Sequence, residues 1–280
     1  MCFSYARQGE DFDETAAEQL DEQMEGEDEL CTSIVDAIGF LIKFHGRAVY
    51  PHLRDQVIPF ATSLLDTEQF PQLQTAGLCV LDDIVEFCSP DAHELVVPLL
   101  PYVLRFMASP DPTQRQSAVY GAGVLAEHGG DSVTPHAGEM AHALLEVIEH
   151  PEAREDGNEH CADNAASALR KLVVHRAHCR GVDVDAAMNA IREYLPLRAD
   201  AIEAREMHHW FLDSLASREP ALVGNEGEFI SHCLFSLAQA IGMHHMYIED
   251  DEEEALFSDE DLHRIPAILT SLEVRFPHNA

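Results

Sequence analysis

Apolar residues recur at helical spacing in two similar stretches near the middle of the chain. GLCVLDDIVEFCSPD, residues 77–91, carries apolar positions with a helical period and ends at a Ser-Pro turn. SAVYGAGVLAEHGGD, residues 117–131, has the same period and ends at a Gly-Gly turn. The two patterns begin near Pro71 and Asp111, about forty residues apart. A second apolar helix is predicted after each of them.

Helix pairs that repeat at this interval are typical of HEAT solenoids, in which each pair packs only on its neighbours. The sequence therefore predicts an all-α fold, a right-handed HEAT-repeat α-solenoid of about five helix pairs with a C-terminal capping helix. Pro59 is expected to kink its helix, and the second helix of each pair is expected to line the concave surface. The predicted pairs are Leu30–Phe44 with Pro51–Leu65, Gln72–Cys88 with Asp91–Met107, Pro112–His128 with Asp131–Glu149, His160–Val174 with Asp183–Tyr194, and Ala199–Ser217 with Asn225–Gly242.

Runs of acidic residues divide the chain. Residues 1–28 are predicted to form an acidic, disordered arm, because 11 of the 20 residues from Glu10 to Glu29 are acidic. Residues 29–247 form the predicted solenoid, and 248–257 an acidic loop. Residues 258–280 form the capping helix, which covers the last open face of a solenoid.

The charge of the chain limits its partners. The formal net charge is -34, from 51 acidic and 17 basic residues. Nucleic acid and anionic membrane surfaces would be repelled, since both carry negative charge. Basic proteins or basic segments would be attracted in a salt-sensitive way. The alternative is that the acidity serves only solubility.

The seven cysteines are scattered, and no C-x-x-C motif occurs. This pattern favours reduced thiols in a cytosolic or nuclear protein. The first residues lack the apolar segment of a signal peptide, and no run of eighteen apolar residues is present. No membrane span is therefore expected.

Two patterns invite a cofactor or metal interpretation. Gly121–Ala126 fits the dinucleotide pattern G-x-G-x-x-A, but it lies inside a helical pattern and no strand precedes it, which favours close helix packing. His160 and His175 would lie about 22 Å apart on one helix, too far to share an ion. His178 and Cys179 could join His175, but a fourth ligand is missing. Neither a cofactor nor a metal is predicted.

Acidic side chains are the candidate protein-binding residues, on two of the predicted helices. A solvated face is the alternative interpretation, because one exposed ion pair contributes under about 1 kcal/mol. No nucleophile, phosphate-binding loop, catalytic triad or H-E-x-x-H motif accompanies them, so no catalytic residue is assigned. The candidates are Asp82, Asp83 and Glu86 on the first helix of the second pair, and Glu139, Glu146 and Glu149 on the second helix of the third pair.

The stretches 77–90 and 117–131 resemble two successive repeats near the C-terminus of the importin-beta (karyopherin-beta) superfamily, closest to the karyopherin-beta-three, or importin-five, type. The resemblance continues through NEHCADNAASALRK (158–171) and through the segment from Leu195 to Leu215, and it spans Asp28 to Ala240. Receptors of this family are several times longer than this chain. The chain would correspond to the last third or less of such a receptor, or to a reduced relative.

The resemblance implies a nuclear transport receptor, or its C-terminal cargo-binding part, that imports proteins by reversible binding of basic cargo and is not an enzyme. The implied partners are basic cargo proteins and Phe-Gly nucleoporins, with shuttling between cytoplasm and nucleus. Ran GTPase binding belongs largely to N-terminal repeats, which this sequence lacks. The alternative is an acidic HEAT-repeat scaffold or chaperone for basic proteins such as histones, without shuttling. A third hypothesis is an enzyme with a metal site between helices.

Overall fold

The computed structural model describes residues 14–66, 68–250 and 255–276. Within these ranges the regular elements are all helical, as predicted, and none is a strand. Among the helices described, none combines the length and the apolar character of a membrane span. The longer helices are α1 (Glu14–His45), α2 (Ile58–Leu64), α3 (Pro71–Cys88), α4 (Val96–Met107), α5 (Pro112–His128), α6 (Ala137–Ile148), α7 (Glu159–Arg176), α8 (Val184–Tyr194), α9 (Ala201–Ser217), α10 (Ile230–Asp250) and α11 (Asp259–Arg275).

The two acidic segments are partly helical. α1 begins at Glu14, so residues 14–28 of the predicted arm belong to this helix. The rest of the arm, 1–13, lies outside the described residues. α10 extends to Asp250, and residues 251–254 of the predicted acidic loop also lie outside them. The division of the chain into arm, solenoid, loop and cap stays a prediction.

Pro59 interrupts the second helix of the first pair. A short turn, Tyr50–His52, is followed by the π-helix Leu53–Val57 and then by α2. The N–H of Ile58 donates to the carbonyl of Leu53, five residues earlier. Proline has no N–H to offer the carbonyl four residues before it, and a wider turn accommodates this gap. The predicted kink therefore takes the form of a π-helical turn.

Short polar side chains start four of the helices. The carboxylate of Asp111 accepts a hydrogen bond from Gln114 N at 2.8 Å before α5, and Asp183 caps α8 in the same way. Asp200 caps α9, and the hydroxyl of Ser258 accepts from Asp261 N before α11. Each cap satisfies a backbone N–H that the helix itself leaves without a partner. The predicted starts at Asp111 and Asp183 are confirmed.

The helices stack in two layers. The first layer consists of α1, α3, α5, α7 and α9, which lie side by side in chain order, and the second consists of α2, α4, α6 and α8. α4 packs mainly on α5, and α6 mainly on α7, so these hairpins join helices from successive predicted pairs. In the second and third predicted pairs the two helices touch little. In the fourth predicted pair, α7 and α8 pack extensively on each other. Helical periodicity predicts an apolar face but not the helix that covers it.

Small residues bring the helices of the first layer close together. Residues 161–169 of α7 are all buried, and they include four alanines. A Cβ atom at Gly123 of α5 would lie 3.2 Å from the Cβ of Ala168. The second-layer helices touch each other much less. The first layer is therefore the more closely packed of the two, and the expectation that the second helices line the concave surface stays a prediction.

Candidate protein-binding surfaces

Asp82 is buried between α3 and α5 rather than presented to solvent. The side chain is almost inaccessible to solvent, since Asp82 is 1% exposed, and its carboxyl group lies against Gly121. Within the described ranges neither of its oxygens has a hydrogen-bond partner. Burial, reinforced by the nearby charges of Asp83 and Glu86, holds the pKa of Asp82 well above its usual range. The carboxyl group of this predicted binding residue is not available to a partner in this structure.

Asp83 and Glu86 are half-buried and face neighbouring helices. A Cβ atom at Gly39 of α1 would lie 2.6 Å from Oδ2 of Asp83. Burial and the charge of Glu86 raise the pKa of Asp83 to about 6, against the opposing effect of Lys43. The hydroxyl of Tyr120 on α5 donates to Glu86 at 2.8 Å. These two acids link α3 to both of its neighbours in the first layer.

The polar contacts continue across the first layer. Nζ of Lys171 on α7 lies 5.7 Å from the ring centroid of Tyr120 and 3.5 Å from Oε2 of Glu203 on α9. Burial raises the pKa of Glu203, although Lys171 acts in the opposite direction. Glu206 adds a second carboxylate 3.6 Å from Lys171. Sequence reasoning missed Tyr120, Lys171 and Glu203. The sequence feature that could have indicated them is a polar residue that recurs within the apolar pattern of successive first-layer helices.

Asp163 organises the turn that leads into α9. Its Oδ2 accepts hydrogen bonds from the backbone N–H groups of Arg198, Ala199 and Asp200, and its Oδ1 accepts one from the hydroxyl of Tyr194. Burial raises the pKa of Asp163, whereas these donors favour its charged form. A fully bonded buried carboxylate fixes local geometry, so Asp163 has a structural role.

The three candidate glutamates in and directly after α6 are exposed in the second layer. Glu139, Glu146 and Glu149 all lie at exposed positions. Oε1 of Glu146 is 3.6 Å from Nε2 of His142, one turn earlier. Of the three, only Glu146 is among the described residues that line the cleft between α4 and α6. The structure brings no acid of α3 together with these glutamates.

A cleft lies between α4 and α6. Its volume is about 490 Å³, within the range of roughly 300–1,000 Å³ that is usual for ligand sites. The first turns of α5 and α7 close its floor. It is lined by Leu104, Met107, Ala108, Arg115, Ala143, Glu146, Val147, His150, Glu152, Ala153, Asn158, Cys161 and Ala162. We call it the α4–α6 cleft.

Histidines are used in packing at the C-terminal end of the stack. His208 of α9 is fully buried, its Nδ1 lies 3.0 Å from the carbonyl oxygen of Leu256, and its ring stacks on Phe257 at 4.9 Å. The N–H of Leu256 donates to Nδ1 of His244. Burial lowers the pKa of His208 to about 4. In the part of the chain that the structure describes, no group of three or more His, Cys, Asp or Glu side chains is arranged to hold a metal ion.

Comparison with known proteins shows a similarity to importins. Residues 4–67 match the family model described as importin repeat 6. The probable importin-5 homolog of Dictyostelium discoideum is 29% identical over 190 residues, which cover 65% of this chain and 18% of that protein. Importin subunit beta-3 of Saccharomyces cerevisiae is 25% identical over 226 residues, or 80% of this chain and 20% of that protein. Together these matches support an importin-beta superfamily member.

Solved karyopherin structures share the fold of this chain. Kap121p bound to RanGTP matches 90% of the chain with a TM-score of 0.67 at 19% identity, and the match covers 22% of Kap121p. Kap121p bound to Nup53p matches 96% of the chain with a TM-score of 0.67, also at 19% identity and over 22% of its length. The likeness confirms the predicted α-solenoid. The chain spans about a fifth of the length of these relatives.

Proposed function

We propose that this chain is part of a nuclear transport receptor that binds basic cargo segments reversibly and without covalent chemistry. The observation that carries the proposal is the match of 226 residues to an importin subunit. Kap121p, whose fold it shares, has been solved in complex with RanGTP and with Nup53p. In this proposal the chain corresponds to C-terminal repeats of such a receptor, and it works in the cytoplasm and the nucleus.

The charge distribution supports a basic partner. The 51 acidic residues outnumber the 17 basic ones threefold. Asp83 and Glu86 are engaged with neighbouring helices, whereas Glu139, Glu146 and Glu149 are exposed. The glutamates of α6 therefore offer the more accessible surface to a lysine- or arginine-rich segment. Several such contacts would have to act together, because each exposed pair contributes under about 1 kcal/mol.

Further partners follow from the same proposal. Phe-Gly nucleoporins would bind in gaps between neighbouring helices, and Ran GTPase would bind only if N-terminal repeats are present elsewhere. A second candidate function is an acidic scaffold or chaperone for basic proteins such as histones, without shuttling. The net charge of -34 favours this alternative equally, because binding to basic proteins requires no contact with the nuclear pore.

Capture experiments with purified proteins separate the two functions. The chain is immobilised and exposed to core histones, to a Phe-Gly repeat fragment and to Ran loaded with GTP, at 50 and 150 mM salt. Binding of the Phe-Gly fragment together with salt-resistant binding of a basic protein supports the transport receptor. Binding of histones alone, lost at the higher salt, supports the scaffold. Binding of neither overturns both proposals.

A matched variant tests the role of the charge. In the triple variant Glu139→Gln, Glu146→Gln and Glu149→Gln, capture of basic proteins is expected to fall and its dependence on salt to weaken. A control variant carries three glutamine substitutions elsewhere in the chain, at the exposed positions Glu68, Glu193 and Glu219. Equal losses in both variants would show that net charge, rather than the surface of α6, attracts the partner.

A further inference from the structure

One side of α10 is exposed and apolar. Its members recur at helical spacing and are Ser231, Phe235, Ala238, Gly242 and Met246. Phe235 and Met246 are each 63% exposed. A Cβ atom at Gly242 would meet nothing within 4 Å among the described residues. This surface, which we call the α10 face, therefore has a large apolar side chain near each end and small residues between them.

The α10 face also lacks charge. It lies in the longest stretch of the chain without Asp, Glu, Lys or Arg, residues 229–248. Charged residues make up 24% of the chain, so 20 residues of average composition would hold about five. Burial explains why the inner side of α10 has none, but not why the exposed side has none, because charged side chains are usual at exposed positions. An exposed apolar face of this kind is typical of an interaction surface.

We propose that the α10 face is a self-association surface, which packs against the α10 face of a second copy of this chain in antiparallel orientation. Two chains with a net charge of -34 repel each other. They can therefore approach closely only through a surface that carries no carboxylate, and the α10 face is such a surface on both copies. A basic segment of another protein would find no charge here to attract it.

The orientation follows from the C-terminal end of the helix. α10 ends at Asp250, and the next four residues in the sequence are acidic. A parallel pair would bring the two acidic ends together. An antiparallel pair centred at the level of residue 240 separates them by about 30 Å and sets Ala238 of one copy opposite Gly242 of the other. Phe235 of each copy then lies near Met246 of the other, as the two-fold symmetry of a dimer requires.

Sedimentation velocity of the purified chain, from about 5 to about 200 µM, tests the proposal. The α10 face spans only about three helical turns and is smaller than a standard interface of about 800 Å² per partner, so a weak dimer is expected. The measurement is made at pH 8, where histidines are neutral. The dissociation constant should fall severalfold between 50 and 500 mM salt, because salt screens the repulsion between the two acidic chains. Capture of basic proteins should weaken over the same range.

Variants locate the surface. Phe235→Glu and Gly242→Glu place a carboxylate in the middle of the proposed contact, and each is expected to raise the dissociation constant by about tenfold or more. Both positions are exposed, and circular dichroism checks that the variants fold. Phe44→Glu is the matched control, because Phe44 is 80% exposed on α1 and its replacement should leave the dimer unchanged.

A mixed sample tests the orientation. Ala238→Lys and Gly242→Glu are each expected to associate weakly alone. Mixed in equal amounts, they should associate more strongly than either does alone, because lysine and glutamate then face each other across the antiparallel pair. A mixture that associates no better would overturn the antiparallel arrangement.

Three results would overturn self-association through α10. They are a chain that stays monomeric up to about 200 µM, a dimer that Phe44→Glu disrupts while Phe235→Glu does not, and a dimer that salt weakens. Histones and the Phe-Gly fragment can still be captured in each case, so the proposed function then stands without the dimer. Loss of that capture with an intact dimer would overturn the proposed function and leave the dimer in place.

Discussion

The carboxyl group of Asp82 on α3 lies directly against Gly121 on α5, in the middle of the first layer. A Cβ atom at position 121 would be 2.5 Å from Oδ2 of Asp82. The two helices can therefore pack at this distance only with glycine at that position. A buried carboxyl group without a partner also destabilises the fold when it is charged. This one contact therefore requires a glycine at position 121 of α5 and favours the protonated form of Asp82 on α3.

Gly121→Ala is expected to destabilise the chain by about 1–3 kcal/mol, because the added methyl group overlaps the Asp82 carboxyl group. Gly242→Ala is the matched control. Gly242 also lies inside a helix, but a Cβ atom there would meet nothing within 4 Å, so this change is expected to stabilise by about 0.5–1 kcal/mol. Urea unfolding measures both. Gly121→Ala is also measured in a chain that carries Asp82→Ala. If it lowers the free energy of unfolding there by as much as in the unmodified chain, overlap with Asp82 is not the cause of the loss.

Asp82→Asn is expected to stabilise the chain at neutral and higher pH. The pKa of Asp82 is raised in the folded state, so folding favours the protonated form, and stability falls as the pH rises through the folded-state pKa. Asparagine carries no charge and avoids this loss. A gain of about 1 kcal/mol would raise the melting temperature by about 2 °C or more at pH 8. The gain should shrink at pH 4, and a gain independent of pH would contradict this explanation.

Acid is expected to destabilise the C-terminal end of the stack through His208. Its pKa is lowered to about 4, so the unfolded chain binds a proton more readily, and stability is lost as the pH falls from about 6.5 towards 4. One proton contributes about 1.4 kcal/mol per pH unit. Thermal melts from pH 7 to pH 4 of the chain and of His208→Phe measure the effect. The difference in stability between the two should change in favour of His208→Phe as acid is added; a constant difference would refute the assignment.

Phe257→Ala is expected to loosen α11 from α9. Phe257 is 2% exposed and contacts the rings of His208 and His244, and truncation of a buried phenylalanine costs about 3–5 kcal/mol. Hydrogen exchange in residues 255–276 should accelerate. Phe235→Ala is the control, since Phe235 is 63% exposed and its loss should leave exchange in α11 unchanged. Equal protection of α11 in both variants would show that Phe257 does not hold the cap.

The helical pattern predicted most of the helix bounds, because each helix carries a regular apolar face and a recognisable start. It did not predict the layers. Val103 and Leu99 of α4 mark an apolar face, but periodicity does not show that α5 rather than α3 covers most of it. The burial of Asp82 was missed for a related reason. Asp82 and Glu86 share a helix face, which favours a solvated interpretation, and only the glycine about forty residues later, at position 121, indicates the close approach.

The candidate site was only partly predictable. Spacing alone selected Glu146 together with Glu139 and Glu149, which are all exposed and lie in or directly after α6. It could not single out Glu146, because the α4–α6 cleft depends on how far two helices from successive repeats stand apart. Tyr120 and Lys171 were missed because each belongs to an otherwise ordinary helical pattern, and their contact joins two helices.

The unequal spacing of the two layers predicts that the stack is stiffer along the first layer than along the second. The first-layer helices are in close contact around Gly121, Gly123 and Ala168 and should resist bending. The second-layer helices touch each other less and should move apart more easily. We therefore expect flexing to change the gap between α4 and α6 more than the spacing of the first layer. A ligand wedged in that gap would fix the curvature of the whole stack, and a narrower distribution of radii of gyration in small-angle X-ray scattering would reveal it.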